Sequence, residues 1–443
     1  MSRKLRRVAG WAAAAEIVIA PVVALCLLFP TQAPTLTAGG LIVLLGVWLA
    51  RWMALSHPLH RTPLDGVLLL LLATVPPAVW ASTDQELTTA ALAYLLAGVI
   101  LFGAIAHWTR AAGRAWWVWG GLLGLGLGLV ALAPLGMQVT SSKLFPLPAL
   151  YTRWSGRLPE TINANVMAGA LVLLWPLSLV GLQFRDQSSA PGLRLLILTR
   201  LVRIGAALST LALLATLALT QSRGAYLGAS VSGLVLLTLR WPRAARVVLP
   251  LALVLALVGA SLVGWSTLAD ELTTGDATSG LDQRVEVWSR ALYAIQDFPY
   301  TGLGLGTFER VVAVLYPLFL HPDGTLPHAH NLYLQVAADL GLPGLVAYLA
   351  LLGLTFAIAL SAYRVFRRSG RSDLALLCAG CIAGLAGMCV HELVDAVTWG
   401  TKLAFVPWVV MGLVAGLTHV AMPPPTAPGN ERDTGSVVDF GTR

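Results

Sequence analysis

The chain has 443 residues, of which 57% are hydrophobic and only 11% charged, against roughly 25% charged in soluble domains. That balance excludes an ordinary soluble globular protein and places most of the sequence in lipid. The formal net charge of +8 sits in cations that flank apolar runs, so it reads as a membrane-topology signal and excludes a nucleic-acid-binding surface.

Ser2 to Arg7 is a basic start that feeds an apolar run reaching Phe29, longer than the core of a cleavable signal peptide, and it reads as the first spanning helix. Further apolar stretches lie near 36–55, 64–82, 87–106, 115–135, 162–183, 198–219, 224–239, 245–265, 341–362, 374–394 and 400–420. Lipid offers the backbone no hydrogen-bond partners, so each is expected to be helical. The expected fold is an all-α polytopic membrane protein with about twelve transmembrane helices, in the cell inner (plasma) membrane. The positive-inside rule puts both termini in the cytoplasm. It leaves eight cations on the outer side: Lys143, Arg153, Arg157, Arg223, Arg284, Arg290, Arg310 and Lys402.

The membrane domain is expected over 1–421, with a Pro-rich, polar and disordered cytoplasmic tail over 422–443. Two outer segments are long enough to fold, 136–161 between helices five and six and 266–340 between helices nine and ten. The second holds an amphipathic pattern from Leu281 to Phe298, with Val285, Trp288, Leu292 and Ile295 at helical spacing. Pro299 ends it. Gly302, Gly304 and Gly306 follow; without a preceding strand or a following Lys-Ser/Thr they form no nucleotide fingerprint, and a tight turn with positive φ is expected. Cys26, Cys378, Cys381 and Cys389 all lie in apolar segments, so no extracellular disulfide framework is implied and the Cys378/Cys381 spacing reads as packing.

The large outer loop carries Arg284-Val-Glu-Val-Trp288, then Pro299-Tyr-Thr-Gly302-Leu-Gly304-Leu-Gly306. His328-Ala-His330-Asn331 comes next, separated by nine residues from Gly341-Leu-Pro-Gly344. Earlier come Ser222-Arg223-Gly224, and Arg153-Trp-Ser-Gly-Arg157 followed by Asn163-Ala-Asn165. Over roughly 150–345 these resemble the O-antigen ligase and O-antigen polymerase superfamily. That family usually has proline where this chain has Ala164. The resemblance implies a multi-spanning GT-C-type fold and a substrate made of a glycan on undecaprenyl pyrophosphate, with an acceptor glycan or glycolipid of the cell envelope as the second partner.

Arginine suits a diphosphate, because its fork donates two hydrogen bonds and stays charged when partly desolvated. Arg223, between two apolar helices at bilayer-edge depth, is the leading candidate, with Arg284 and Arg157 beside it; Arg153, Arg290 and Arg310 are secondary. Snorkelling to the outer head groups is the alternative for Arg223, and simple solvation in an outer loop the alternative for Arg153, Arg290 and Arg310. His330 is the candidate general base, since imidazole titrates near working pH; His328 competes, and Asn331, Asn165 and His391 complete the secondary set. His391, Glu392 and Asp395 cluster at the outer end of helix eleven, with His391 and Asp395 on one face. No third metal ligand is evident for that pair, and no paired acidic motif of metal-dependent glycosyltransferases stands in an outer loop. No cofactor and no metal are expected, arginine cations replacing the metal. The expected activity is a metal-independent, inverting glycosyl transfer from undecaprenyl pyrophosphate to an envelope acceptor. The alternatives are an O-antigen or exopolysaccharide polymerase and, from another class, a lipid or polysaccharide transporter, which would instead concentrate its polar residues at mid-membrane.

Overall fold

A computed structural model describes residues 3–55, 61–110, 112–138, 146, 148–154, 157–158, 161–183, 193–263, 281–319 and 328–422. Lys143, the parts of the large loop at 264–280 and 320–327, and the tail from Pro423 onward lie outside the described residues.

Among the described residues each apolar stretch of the sequence is helical over most of its length. In chain order the helices are α1 (Arg3–Leu27), α2 (Pro34–Leu55), α3 (Asp65–Ala73), α4 (Val75–Trp80), α5 (Gln85–Trp108), α6 (Ala112–Gly136), a short α7 (Ala149–Trp154), α8 (Ala164–Val180), α9 (Leu193–Leu219), α10 (Arg223–Arg240), α11 (Pro242–Val263), α12 (Leu281–Asp297), α13 (Phe308–Leu315), α14 (Leu332–Arg368), α15 (Ser372–His391) and α16 (Phe405–Ala421). Six of the described helices are long and apolar enough on their own to cross a membrane, and several shorter apolar helices accompany them. The stretch expected at 64–82 is broken at Thr74 into α3 and α4, where Pro76 and Pro77 at the start of the second helix remove backbone donors. Among the described residues the only strands are β1 (Met137–Gln138) and β2 (Ile162–Asn163), which pair in parallel and bring the two ends of the first outer segment together.

Small residues let the central helices approach closely. A side chain at Gly228 of α10 would meet the Gly387 carbonyl of α15 at 2.6 Å, and one at Gly412 of α16 would meet the Phe102 carbonyl of α5 at 2.7 Å. α15 is the axis of this packing, buried along nearly all of its length. At the edge, α1 and α2 form a hairpin in which the buried Glu16 accepts a hydrogen bond from the Trp48 indole at 3.0 Å. A carboxylate inside an apolar bundle needs such a donor.

A second, smaller core caps one end of the bundle. It joins Val287, Ala291 and Ala294 of α12, Leu303, Phe308 and Val312 of the following turn and α13, and Ala329, Ala337 and Ala338. The α12 helix lies where the amphipathic pattern placed it, but its buried face is rotated from the one expected. Ile295 is buried and Trp288 half-buried as expected, whereas Val285 and Leu292 are exposed and the small side chains Ala291 and Ala294 face inward, because the helix packs closely against α14 and small residues permit the approach.

The glycine turn after Pro299 has positive φ at Gly302, Gly304 and Gly306 (68°, 105° and 76°). It docks on a kink at Gly341, φ 72°, that splits α14 into a short leg, 332–340, and a long one. The docking is backbone to backbone: Leu303 N–H donates to the Ala338 carbonyl at 2.7 Å and Leu342 N–H to the Pro299 carbonyl at 2.8 Å.

At the opposite end of the bundle, Arg240 donates to the Gln183 amide oxygen at 2.9 Å, and Arg367 donates to the Tyr363 hydroxyl at 3.0 Å and the Leu239 carbonyl at 3.3 Å. With Asp373 they border a cavity of about 310 Å³.

Candidate active site

The short leg of α14 begins with a side-chain cap. Asn331 takes extended backbone, and its side-chain oxygen accepts from the N–H groups of Tyr333 and Leu334, both at 3.0 Å. Its amide nitrogen donates to the Leu393 carbonyl at 2.9 Å, and Leu332 N–H donates to the Glu392 carbonyl at 2.9 Å. These bonds stitch the start of α14 to the turn that follows α15. Residues far apart in the chain therefore meet at one surface.

His330 sits immediately before this cap with φ 46°, a left-handed conformation that costs a non-glycine residue about 1–3 kcal/mol and persists only where the surroundings hold it. Here they do. Its N–H donates to His328 Nδ1 at 3.2 Å, and its carbonyl accepts from the Trp288 indole at 3.2 Å. Because His328 Nδ1 is an acceptor, the His328 proton belongs on Nε2.

Asp395, 2% exposed, lies between the two imidazoles: its Oδ1 is 3.5 Å from His330 Nδ1 and 3.6 Å from His328 Nε2. These are ion-pair distances, longer than an N–H···O hydrogen bond of about 2.9 Å, and catalytic contacts commonly tighten only when substrate is bound. Burial alone would raise the Asp395 carboxyl; His330, His328 and His391 outweigh it and hold the group below the usual carboxylate range. Burial, against the opposing pull of Asp395, pushes the His328 imidazole down to about 4, so His328 is neutral near pH 7.

Arg284 lies one turn before Trp288 on α12 and is close enough for its charge to lower the His328 imidazole further. Arg223 opens α10, whose neighbouring Gly224 packs on Val394 and His391, next to Asp395. Asn165 stands one turn before Gly169 on α8, and a side chain at Gly169 would meet Val397 and the His391 ring. The structure thus brings His328, His330, Asn331, Arg284, Arg223, Asn165 and His391 to one end of the bundle.

Two of the other sequence candidates are held in ion pairs. Arg290 pairs with Glu286 at 3.2 Å and donates to the Pro317 carbonyl at 3.2 Å. Arg310 pairs with Asp84 at 3.5 Å. Arg157 is exposed and lies over the Trp154 ring at 5.1 Å, with Arg153 exposed on α7. His391 is fully buried among Gly169, Gly224 and Gly228, beside Glu392. It does not share a helical face with Asp395: α15 ends at His391, and a turn carries Asp395 toward His330 instead. The expected common face fails because it needs the helix to run beyond its C-cap at Glu392.

The same turn changes the inventory of metal ligands. The donor atoms of His328, His330 and Asp395 all lie within 4.8 Å of one another, so a triad exists that the His391/Asp395 pair does not foreshadow.

Fold and site together define an integral membrane protein of polytopic all-α type with a polar centre at one end of its bundle. Within it, residues 208–349 match the family described as O-Antigen ligase. That match, from α9 into the long leg of α14, supports membership of the O-antigen ligase/polymerase superfamily. No curated protein is a significant match to the chain.

Proposed function

We propose that the protein is an integral-membrane glycosyltransferase of the O-antigen ligase type, acting on the extracytoplasmic face of the inner membrane. It moves a glycan from undecaprenyl pyrophosphate to an envelope acceptor. The observation that carries this reading is the burial of Asp395 against the His330 ring, with the charge of Arg284 close by. With Asp395 facing Nδ1, the Nε2 lone pair of His330 is left to take the proton of an acceptor hydroxyl. The freed oxygen attacks the anomeric carbon as the bond to the diphosphate breaks, inverting that carbon, and undecaprenyl pyrophosphate leaves. Arg284 and Arg223 neutralise the charge that develops on the departing diphosphate. Arg157 is the third arginine assigned to it.

In this reading the arginines do the work of a metal. A second reading, favoured by the His328–His330–Asp395 donor set, places a divalent ion in that triad. Purified protein incubated with lipid-linked oligosaccharide and candidate acceptors tests both. His330→Ala and Arg284→Ala are expected to lose turnover by about 10²-fold or more, while prior dialysis against EDTA leaves it unchanged. Full activity in either variant sinks the site assignment; loss with EDTA, restored by a divalent ion, establishes the second reading. A product ladder on the lipid carrier would identify a polymerase, and a single transfer to a different acceptor a ligase.

A further inference from the structure

Beneath the His330 loop lies a chain of buried hydrogen bonds to which the proposed reaction gives no role. The Asp339 carboxylate, 1% exposed, accepts from the Trp399 indole at 2.8 Å through one oxygen and from the Gln335 amide nitrogen at 3.0 Å through the other, and the Gly306 backbone amide also donates to it. The other end of Gln335, its amide oxygen, accepts from the backbone N–H of Ala329 at 2.7 Å. Ala329 is fully buried and stands between His328 and His330. All members are buried, so water cannot replace any bond that is left unmade.

We propose that Asp339, Gln335 and Trp399 are positioning residues that set the placement of the His330 imidazole, with Asp339 fixing which way the Gln335 amide faces. The inference rests on the reading of His330 as the general base. A Gln side chain can present oxygen or nitrogen at either end. Asp339, an acceptor twice over, admits only the nitrogen on its side, so the oxygen must face Ala329. That bond pins the His328–Ala329 peptide, one residue ahead of His330 in its left-handed conformation, where the backbone would otherwise relax and carry the ring away from Asp395. The i, i+4 spacing of Gln335 and Asp339 puts both on one face of the short leg. Trp399 ties that leg to the segment carrying Asp395.

The polarity of the chain permits a swap. Asp339→Asn offers nitrogen where Gln335 also offers nitrogen, forcing the Gln335 amide to turn and leaving Ala329 N–H facing a donor. Gln335→Glu sets two carboxylates against each other. When both changes are made together, the new amide at position 339 still accepts from Trp399 and now donates to the new carboxylate at position 335. The second oxygen of that carboxylate accepts from Ala329, so all three bonds return.

The experiment measures kcat and KM for glycosyl transfer in the intact protein, together with the rate at which diethyl pyrocarbonate modifies His330, read by mass spectrometry. Each single variant is expected to lower kcat about tenfold or more with KM within about twofold, and to change the His330 modification rate. The double variant is expected to return both towards wild type. Should a single variant fail to fold, Gln335→Met, which removes both amide bonds at similar volume, replaces it with the same expected loss. Unchanged kcat in the singles, or a double variant no better than the worse single, overturns the inference. If instead His330→Ala keeps full turnover, the functional reading fails while the modification rates still decide whether the network positions that ring.

Discussion

The two ends of the bundle are both rich in arginine, yet they use it differently. At the Arg367 end the cations rest on carbonyls, on the Gln183 amide and on aromatic rings such as Phe366 and Trp241. Several stay exposed, as expected of charges whose work is to hold a helix end at a membrane surface. At the His330 end a carboxylate is buried against two imidazoles, with Arg284 close by and Arg223 opening the helix that packs against the same turn. Burying charge is costly unless it is paired, so the concentration of it at one end marks that end for chemistry. A positive net charge alone does not distinguish the two.

The largest effect expected to separate the ends comes from Asp395→Asn. The change keeps the shape and removes the charge opposite His330, and kcat in the transfer assay should fall by about 10²-fold or more, with little change in the amount of folded protein. Activity within a few-fold of wild type would erase the distinction.

A smaller effect concerns acid. His328 titrates at 6.5 when unfolded and about 4 in place, so between those values the unfolded chain holds the extra proton. The stability from keeping His328 neutral is whole above pH 6.5 and drains away as pH falls towards 4, by at most ~3 kcal/mol. Asp395, held low, adds a loss of the same sign below its ordinary range. Thermal unfolding followed from about pH 7 to about pH 4.5 should show a declining Tm, and His328→Asn should flatten the decline. A Tm that rises on acidification contradicts the burial argument.

The smallest effect belongs to the other end. Arg367→Gln removes bonds to Tyr363 and Leu239, each worth roughly 1 kcal/mol, and turnover should stay within about twofold. A loss as deep as that of Asp395→Asn would show that both ends serve the reaction.

Much of the His330 end is legible in the linear sequence because its signals are local. The three glycines adopt the positive φ expected of them, and the nine-residue interval from Asn331 to Gly341 is the short leg of α14. What local reading misses depends on distance or on packing. Gln335 and Asp339 look like interruptions in an apolar run; their meaning comes from Ala329 on one side and from Trp399, 60 positions away, on the other. The placement of Asp395 escapes such a reading because the stop of α15 at His391 has no glycine or proline to announce it. The buried face of α12 escapes it too: hydrophobicity favours Val285 and Leu292, whereas close approach to a neighbouring helix favours Ala291 and Ala294.

The short leg between Asn331 and Gly341 has one more consequence. Its two ends are anchored to different things, one to the turn after α15 and the other to the glycine turn after Pro299. At about 1.5 Å and about 100° per residue, its length acts as a gauge that sets both the height of His330 above the kink and its compass bearing. Adding one residue would lift the histidine by little more than an atom's width but swing it by over a quarter of a circle, so the leg can tolerate substitution far better than it can tolerate any change in count.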